Sequence, residues 1–137
     1  MTATGPAESA PRVLLVDDNH GFRHELRLLL EDCGIEVVAE GENGQEAVEL
    51  ATRTDADVVL MDLRMPVMDG LQAARALRDQ VPSLPVIILS AYEDPALKSE
   101  ADAANAYAYL VKGCSALPLL DTIERAWASR SGGASRN

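Results

Sequence analysis

Val58-Val59-Leu60-Met61-Asp62 runs four apolar residues straight into one carboxylate, and Leu63-Arg64-Met65-Pro66-Val67-Met68-Asp69-Gly70 follows as a loop closing on Asp-Gly. A short, continuous apolar run of this kind is the signature of a parallel strand buried on both faces. Asp62 then stands at the strand's C-terminal end, the edge of an open α/β sheet where ligands bind.

Working outward, the same pattern recurs. Arg12-Val13-Leu14-Leu15-Val16-Asp17 reads as a first strand ending in a carboxylate, and Leu84-Pro85-Val86-Ile87-Ile88-Leu89 as a fourth running into Ser90. Tyr107-Ala108-Tyr109-Leu110-Val111 is a fifth, running into Lys112, and Ile35-Glu36-Val37-Val38-Ala39 is a second and less apolar strand, suited to a sheet edge. The third strand is placed at 57–61.

Between the strands the apolar period changes from strand-like to helical. Asn19 or Asp18 can cap a helix carrying Phe22, Leu26, Leu29, Leu30 and Cys33, with Gly34 as its stop. Asn43-Gly44-Gln45-Glu46 has the form of a capping box opening a helix to about Thr52. Asp69 caps a helix carrying Leu71, Ala74 and Leu77, closed by a turn between Pro82 and Pro85. Asp94-Pro95 opens a fourth helix that should end near Asn105. Ser115 opens the last, with Pro118 in its first turn and Leu119, Leu120, Ile123 and Trp127 facing inward.

Five strands alternating with five helices predict a flavodoxin-like (βα)5 doubly wound parallel sheet, with strand order 2-1-3-4-5 as the commonest five-stranded solution. Residues 1–11 read as a flexible leader, 12–128 as one folded unit, and 129–137 as a flexible tail or the start of a linker.

Composition bounds the function. In 137 residues there is room for one domain with a proper core, and 47% hydrophobic with 25% charged residues is an ordinary globular balance. The formal net charge of −10 argues against direct nucleic-acid binding by this domain, without excluding a DNA-binding domain elsewhere. Cys33 and Cys114 form no metal or disulfide pattern and read as two buried free thiols. No apolar run has the ~18 residues of a membrane helix, and the N-terminus lacks a signal-peptide core, so a cytoplasmic location is expected.

The strand ends carry the chemistry. With the predicted order, Asp17-Asp18, Asp62, Ser90 and Lys112 converge on one edge. Three carboxylates together repel one another unless a cation joins them, and an all-oxygen site beside a phosphate suits Mg²⁺. A hydroxyl and an ammonium next to them suit the oxygens of a transferring phosphoryl group. Each residue alone has an ordinary explanation: a loop acid, a helix cap, a turn serine, a solvated lysine. Five of them on the right strands make coincidence improbable.

With these residues in place, the chain resembles the receiver domains of bacterial two-component response regulators. The resemblance is carried by Leu14-Leu15-Val16-Asp17-Asp18-Asn19, by Asp62 through Gly70, by Leu89-Ser90-Ala91 and by Tyr109-Leu110-Val111-Lys112. Met-Pro-Val-Met-Asp-Gly with the later Tyr-Leu-Val-Lys-Gly is most similar to the LuxR/NarL-type branch.

The resemblance implies that Asp62 is the phosphoacceptor for a sensor histidine kinase. Asp17, Asp18, Asp62 and the Arg64 backbone carbonyl would hold Mg²⁺. Ser90 and Lys112 would contact phosphate oxygens, and Ser90 and Tyr109 would form the switch. That switch would reshape the face made by helix four, strand five and helix five, which is also the expected face of a homodimer. The protein would be a signalling switch rather than an enzyme acting on other substrates. Since no helix-turn-helix follows residue 128, it would be a stand-alone receiver or the receiver piece of a longer transcription regulator. Arg64 and Tyr92 stand where the family tunes phosphoryl-group lifetime, and their bulk predicts slow autodephosphorylation.

The chain departs from the family pattern in three places. Gly113 stands where many receivers have a proline, often after a cis bond; Asn105 and Ala108 replace glycines usual in the branch; and Tyr107 adds a second aromatic near Tyr109. Three other readings fit parts of the pattern. A haloacid-dehalogenase-type phosphatase needs an acid two residues after the nucleophile, where Arg64 stands. A flavodoxin-like nucleotide binder needs a Ser/Thr/Gly-rich loop where Asp17-Asp18-Asn19 stands. A receiver-like interaction module that is never phosphorylated is the alternative kept.

Overall fold

A computed structural model describes residues 10–135, with side chains through residue 130. The five strands are β1 (Arg12–Val16), β2 (Glu36–Gly41), β3 (Val58–Asp62), β4 (Val86–Ser90) and β5 (Ala108–Val111). The helices are α1 (His20–Asp32), α2 (Gly44–Arg53), α3 (Gly70–Gln80), α4 (Pro95–Ala103) and α5 (Ala116–Ser135). The strands form one parallel sheet in the order β2-β1-β3-β4-β5. This is the flavodoxin-like order expected from the alternation of periods.

Side-chain alternation divides the core in two. Val13, Leu15, Val58, Leu60, Ile87 and Leu89 face one side, with Leu26 and Leu30 of α1 and Leu119 and Ile123 of α5. Leu14, Val16, Val59, Met61, Val86 and Ile88 face the other, with Ala47 of α2, Leu71, Ala74 and Leu77 of α3 and Ala101 of α4. β3 and β4 are buried throughout, whereas β2 and β5, the edge strands, are mostly half-buried. Burying one such Leu or Ile side chain contributes about 1.5–3 kcal/mol, so the three central strands dominate the sheet's stability.

The caps follow the sequence with one change. Asn19 accepts from Phe22 N at 2.9 Å, and Asp69 and Gln72 complete a reciprocal capping box. At α2 only half a box forms: Asn43 accepts from Glu46 N, but Glu46 accepts from Glu42 N at 2.8 Å, one residue before the cap. Asn105 adopts φ +69, a left-handed value that ends α4 and that Asn tolerates.

Two expectations are corrected, and a third lies largely outside the described residues. Both cysteines are exposed, because Cys33 is the C-cap residue of α1 and Cys114 lies in the turn after β5, beyond the packed faces. Helix α5 continues through Ser135, past the Ser129 at which a tail was expected: the Arg130 guanidinium donates to the Ala56 carbonyl at 2.5 Å and ties this stretch to the turn before β3. The leader 1–11 lies outside the described residues up to residue 9, while Pro11 is buried and its carbonyl accepts from Glu36 N. Among the described residues no helix is long and apolar enough to cross a membrane.

Candidate phosphoacceptor site at the sheet edge

Strand parity decides which groups meet. Positions 13 and 15, 58 and 60, and 108 and 110 pack on the α1/α5 side, so Asp62 at the end of β3 and Asp17 and Lys112 just past β1 and β5 continue that side. Lys112 Nζ lies 2.8 Å from Asp17 Oδ2 and 3.4 Å from Asp62 Oδ1. Asp17, Asp62 and Ser90 are buried, whereas Asp18 is exposed at the mouth. One carboxylate oxygen from each of Asp17, Asp18 and Asp62 lies within 4.8 Å of the others.

Phe22 of α1 closes the pocket below the lysine. Its ring centroid is 4.4 Å from Lys112 Nζ, a cation–π contact worth about 0.5–2 kcal/mol depending on solvation. Burial, reinforced by the nearby charge of Asp17, pushes the Asp62 carboxyl up to about 6, against the lowering effect of Lys112 and of the Leu63 amide. At neutral pH Asp62 is still mostly ionised. Three carboxylates facing one ammonium leave an excess of negative charge in a partly dehydrated pocket, a donor set that fits a hard divalent cation. Octahedral Mg²⁺ at about 2.1 Å spans roughly 4.2 Å between opposite oxygens, a span comparable with the 4.8 Å within which these oxygens lie. The acids present therefore fit Mg²⁺.

Ser90 has the opposite parity, on the α3/α4 side with Tyr109. Its hydroxyl accepts from Tyr92 N at 3.0 Å, and its carbonyl accepts from Lys112 N at 2.7 Å. Tyr109 donates its hydroxyl to the Tyr92 carbonyl at 2.5 Å. Ser90, Tyr92 and Tyr109 thus form one chain of contacts behind the acid pocket. Tyr107 precedes β5 and is more exposed, so the tyrosine tied to this chain is Tyr109. The Arg64 guanidinium lies 5.6 Å over the Tyr92 ring, so the side chains two residues beyond Asp62 and Ser90 stack on each other.

The backbone around the site makes two demands on glycine. A Cβ at Gly70 would collide with the Asp62 carbonyl oxygen, and Gly70 N donates to the Leu63 carbonyl at 2.7 Å, so the loop after β3 folds tightly back on its own strand. Gly113 has open space around it but adopts φ +88, and the Lys112–Gly113 peptide is trans. Three residues before Gly70, Val67, a β-branched residue, holds φ +70.

Periodicity alone passes over one further residue. Arg23 is buried in α1, and its Nη1 donates to the Asp17 carbonyl at 2.5 Å while its Nε donates to Glu40 Oε1 at 2.8 Å. Arg27 donates to the other Glu40 oxygen at 2.5 Å. Burial alone would raise the Glu40 carboxyl, but the hydrogen bonds from Arg23 and Arg27 outweigh it and hold the carboxyl below its usual range. The available signal was position: Arg23 falls three residues before Leu26 and seven before Leu30, on the stripe that faces the core.

Fold and site together define a flavodoxin-like protein with a carboxylate–lysine pocket at the C-terminal edge of its sheet. The family model for the response regulator receiver domain matches residues 13–124, and the chain belongs to that family. It is similar to the transcriptional regulatory protein PdtaR of Mycobacterium tuberculosis, with 39% identity over 128 residues, covering 90% of this chain and 62% of that protein. It is also similar to the transcriptional regulatory protein DegU of Brevibacillus brevis, with 34% identity over 118 residues, covering 85% of this chain and 50% of that protein. The chain therefore spans only part of the length of these curated relatives.

Its likeness to the LuxR/NarL-type branch extends to structure. The LuxR-family two-component response regulator from Aurantimonas sp. SI85-9A1 superposes with a TM-score of 0.84 at 33% identity, covering 89% of this chain and 88% of that one.

Proposed function

We propose that this receiver domain accepts a phosphoryl group on Asp62 from the phosphohistidine of a sensor kinase, in a Mg²⁺-dependent reaction. The observation that carries it is the convergence of Asp17, Asp18, Asp62 and Lys112 in one strand-end pocket. The Asp62 carboxylate forms the new P–O bond as the donor's P–N bond breaks, and the departing imidazole takes the electron pair. Asp62 needs no base, because it is mostly ionised at neutral pH. Mg²⁺, held by Asp17, Asp18, Asp62 and the Arg64 backbone carbonyl, would offset charge on the transferring group. Lys112 would turn from Asp17 toward a phosphate oxygen, and Ser90 would leave Tyr92 N to donate to another.

Release of Tyr92 N is where the signal would leave the site. Tyr92 also holds the Tyr109 hydroxyl, so moving Ser90 changes the loop on which Tyr109 rests. Tyr109 faces a groove of about 380 Å³ lined with Pro95, Lys98 and Tyr107 between α4 and β5. Contacts that differ between the two states bias the α4–β5–α5 face, which would then serve a partner, an output domain or a second copy.

Incubation with Mg²⁺ and acetyl phosphate, followed by intact-mass measurement, tests the proposal. One added phosphoryl mass on the wild type and none on Asp62→Asn is expected. An unlabelled wild type would leave the alternative, an interaction module that is never phosphorylated, and equal labelling of Asp62→Asn would move the acceptor elsewhere.

A further inference from the structure

Among the described residues the buried polar side chains are Asp17, Arg23, Asp62 and Ser90. The proposed chemistry uses three of them. Arg23 is the fourth, and its guanidinium reaches in three directions: Nη1 to the Asp17 carbonyl, Nε to Glu40 on β2, and Nη2 to His20 Nδ1 at 3.1 Å. Arg23 N also donates to the Asn19 carbonyl at 3.0 Å, so both its backbone and its side chain hold the turn between β1 and α1.

The contact with Asp17 bears on the acids through the peptide plane. The Asp17 carbonyl and the Asp18 amide belong to one rigid unit, so holding the carbonyl orients the plane from which Asp18 departs. Asp17 is otherwise fixed by its N–H to the Gly41 carbonyl at 3.0 Å, by its Oδ1, which accepts from Asn19 N at 2.9 Å, and by its Oδ2, 2.8 Å from Lys112 Nζ. Asp18 is exposed and lies beyond the strand. Its carboxylate direction therefore depends on the turn that Arg23 holds.

Stability alone is a weak reason for an arginine here. Buried ion pairs are often replaceable by apolar side chains of similar volume without loss, and the planar fork is what a lysine cannot reproduce. We propose that Arg23, braced by Glu40, is a positioning residue for the Mg²⁺ site, setting the direction in which Asp17 and Asp18 present their carboxylates. This rests on the reading of the acid cluster as a Mg²⁺ site.

The test is titration of the full chain with Mg²⁺ alone, followed by backbone amide chemical shifts, for wild type, Arg23→Met, Arg23→Lys and Arg23→Met/Glu40→Gln. Urea unfolding of each is run alongside, and Ile123→Val, a core residue of α5 that contacts none of the acids, serves as a destabilised control. Arg23→Met is expected to bind Mg²⁺ about tenfold or more weakly, as is typical when a residue orienting a metal ligand is lost. Arg23→Lys should be weakened as well, and Ile123→Val should bind as wild type does. In the double variant the Glu40 oxygen that Arg23 left without its donor no longer carries charge, so the unfolding midpoint should recover in part while Mg²⁺ affinity stays low. Wild-type affinity in Arg23→Met, or affinity that recovers with stability in the double variant, would overturn the proposal. A wild type that binds no Mg²⁺ would instead remove the reading beneath it.

Discussion

The Tyr109 hydroxyl donates to the backbone carbonyl of Tyr92 at 2.5 Å, across 17 residues of sequence. The same residue's amide holds the Ser90 hydroxyl, so one loop residue joins the buried edge of the site to a surface aromatic. Tyr109→Phe removes the donor and keeps the ring. Stability should fall by about 0.5–1.5 kcal/mol in urea unfolding. Labelling of Asp62 by acetyl phosphate should persist, since the acid pocket is untouched. Loss of labelling would place Tyr109 in the transfer step itself.

Asp62 gives the folded state a pH dependence of definite sign. Its carboxyl is pushed from 3.8 up to about 6, so between those values the folded chain binds more protons than the unfolded one. Stability from this group is highest below pH 4 and is lost as pH rises through about 6. In Mg²⁺-free buffer, Asp62→Asn should therefore be more stable than wild type at pH 7, by about 1–3 kcal/mol. The gap should close on acidification toward pH 4. Urea unfolding across that range in EDTA measures it, and a gap independent of pH would contradict the assignment.

Val67 is 76% exposed and holds φ +70, a conformation that β-branched residues disfavour. Val67→Asn relieves the strain with little loss of burial, and a gain of about 1 kcal/mol is expected. A raised thermal midpoint with unchanged Mg²⁺ affinity would show that the strain lies in the loop rather than in the metal site. A lowered midpoint would mean that Val67 makes contacts worth more than its strain.

Arg64 and Tyr92, each two residues beyond a strand-end residue of the site (Asp62 and Ser90), stack on each other, and their bulk is proposed to hinder an attacking water. Wild type should lose its phosphoryl group slowly, and Arg64→Ala or Tyr92→Ala should shorten the acyl-phosphate lifetime several-fold. Intact-mass decay after removal of the phosphodonor measures it. Equal lifetimes in wild type and both variants would show that the stack does not guard the acceptor.

Much of this was legible in the residues. Apolar runs ending in Asp17, Asp62, Ser90 and Lys112 located the sheet edge, because burial on both faces of a parallel strand leaves no room for polar residues until the strand ends. The 2-1-3-4-5 order then made those residues neighbours. Asn19, Asp69, Asp94 and Asn105 marked helix boundaries through bonds or dihedral angles local to the chain. Less was legible at the edges. The thiols of Cys33 and Cys114 read as core but face solvent, since helical period does not report where a helix stops packing.

The sequence by itself therefore determined the fold, the edge that carries the chemistry and the acids gathered there, because these follow from burial and period, which are local properties. Tertiary packing alone decided that Lys112 rests on Phe22 between Asp17 and Asp62, that Tyr109 rather than Tyr107 is tied to Tyr92, and that Arg23 turns inward to Asp17. Each of these is a distance between groups far apart in the chain or a choice among side-chain rotamers. Such distances exist only once the helices have settled on the two faces of the sheet.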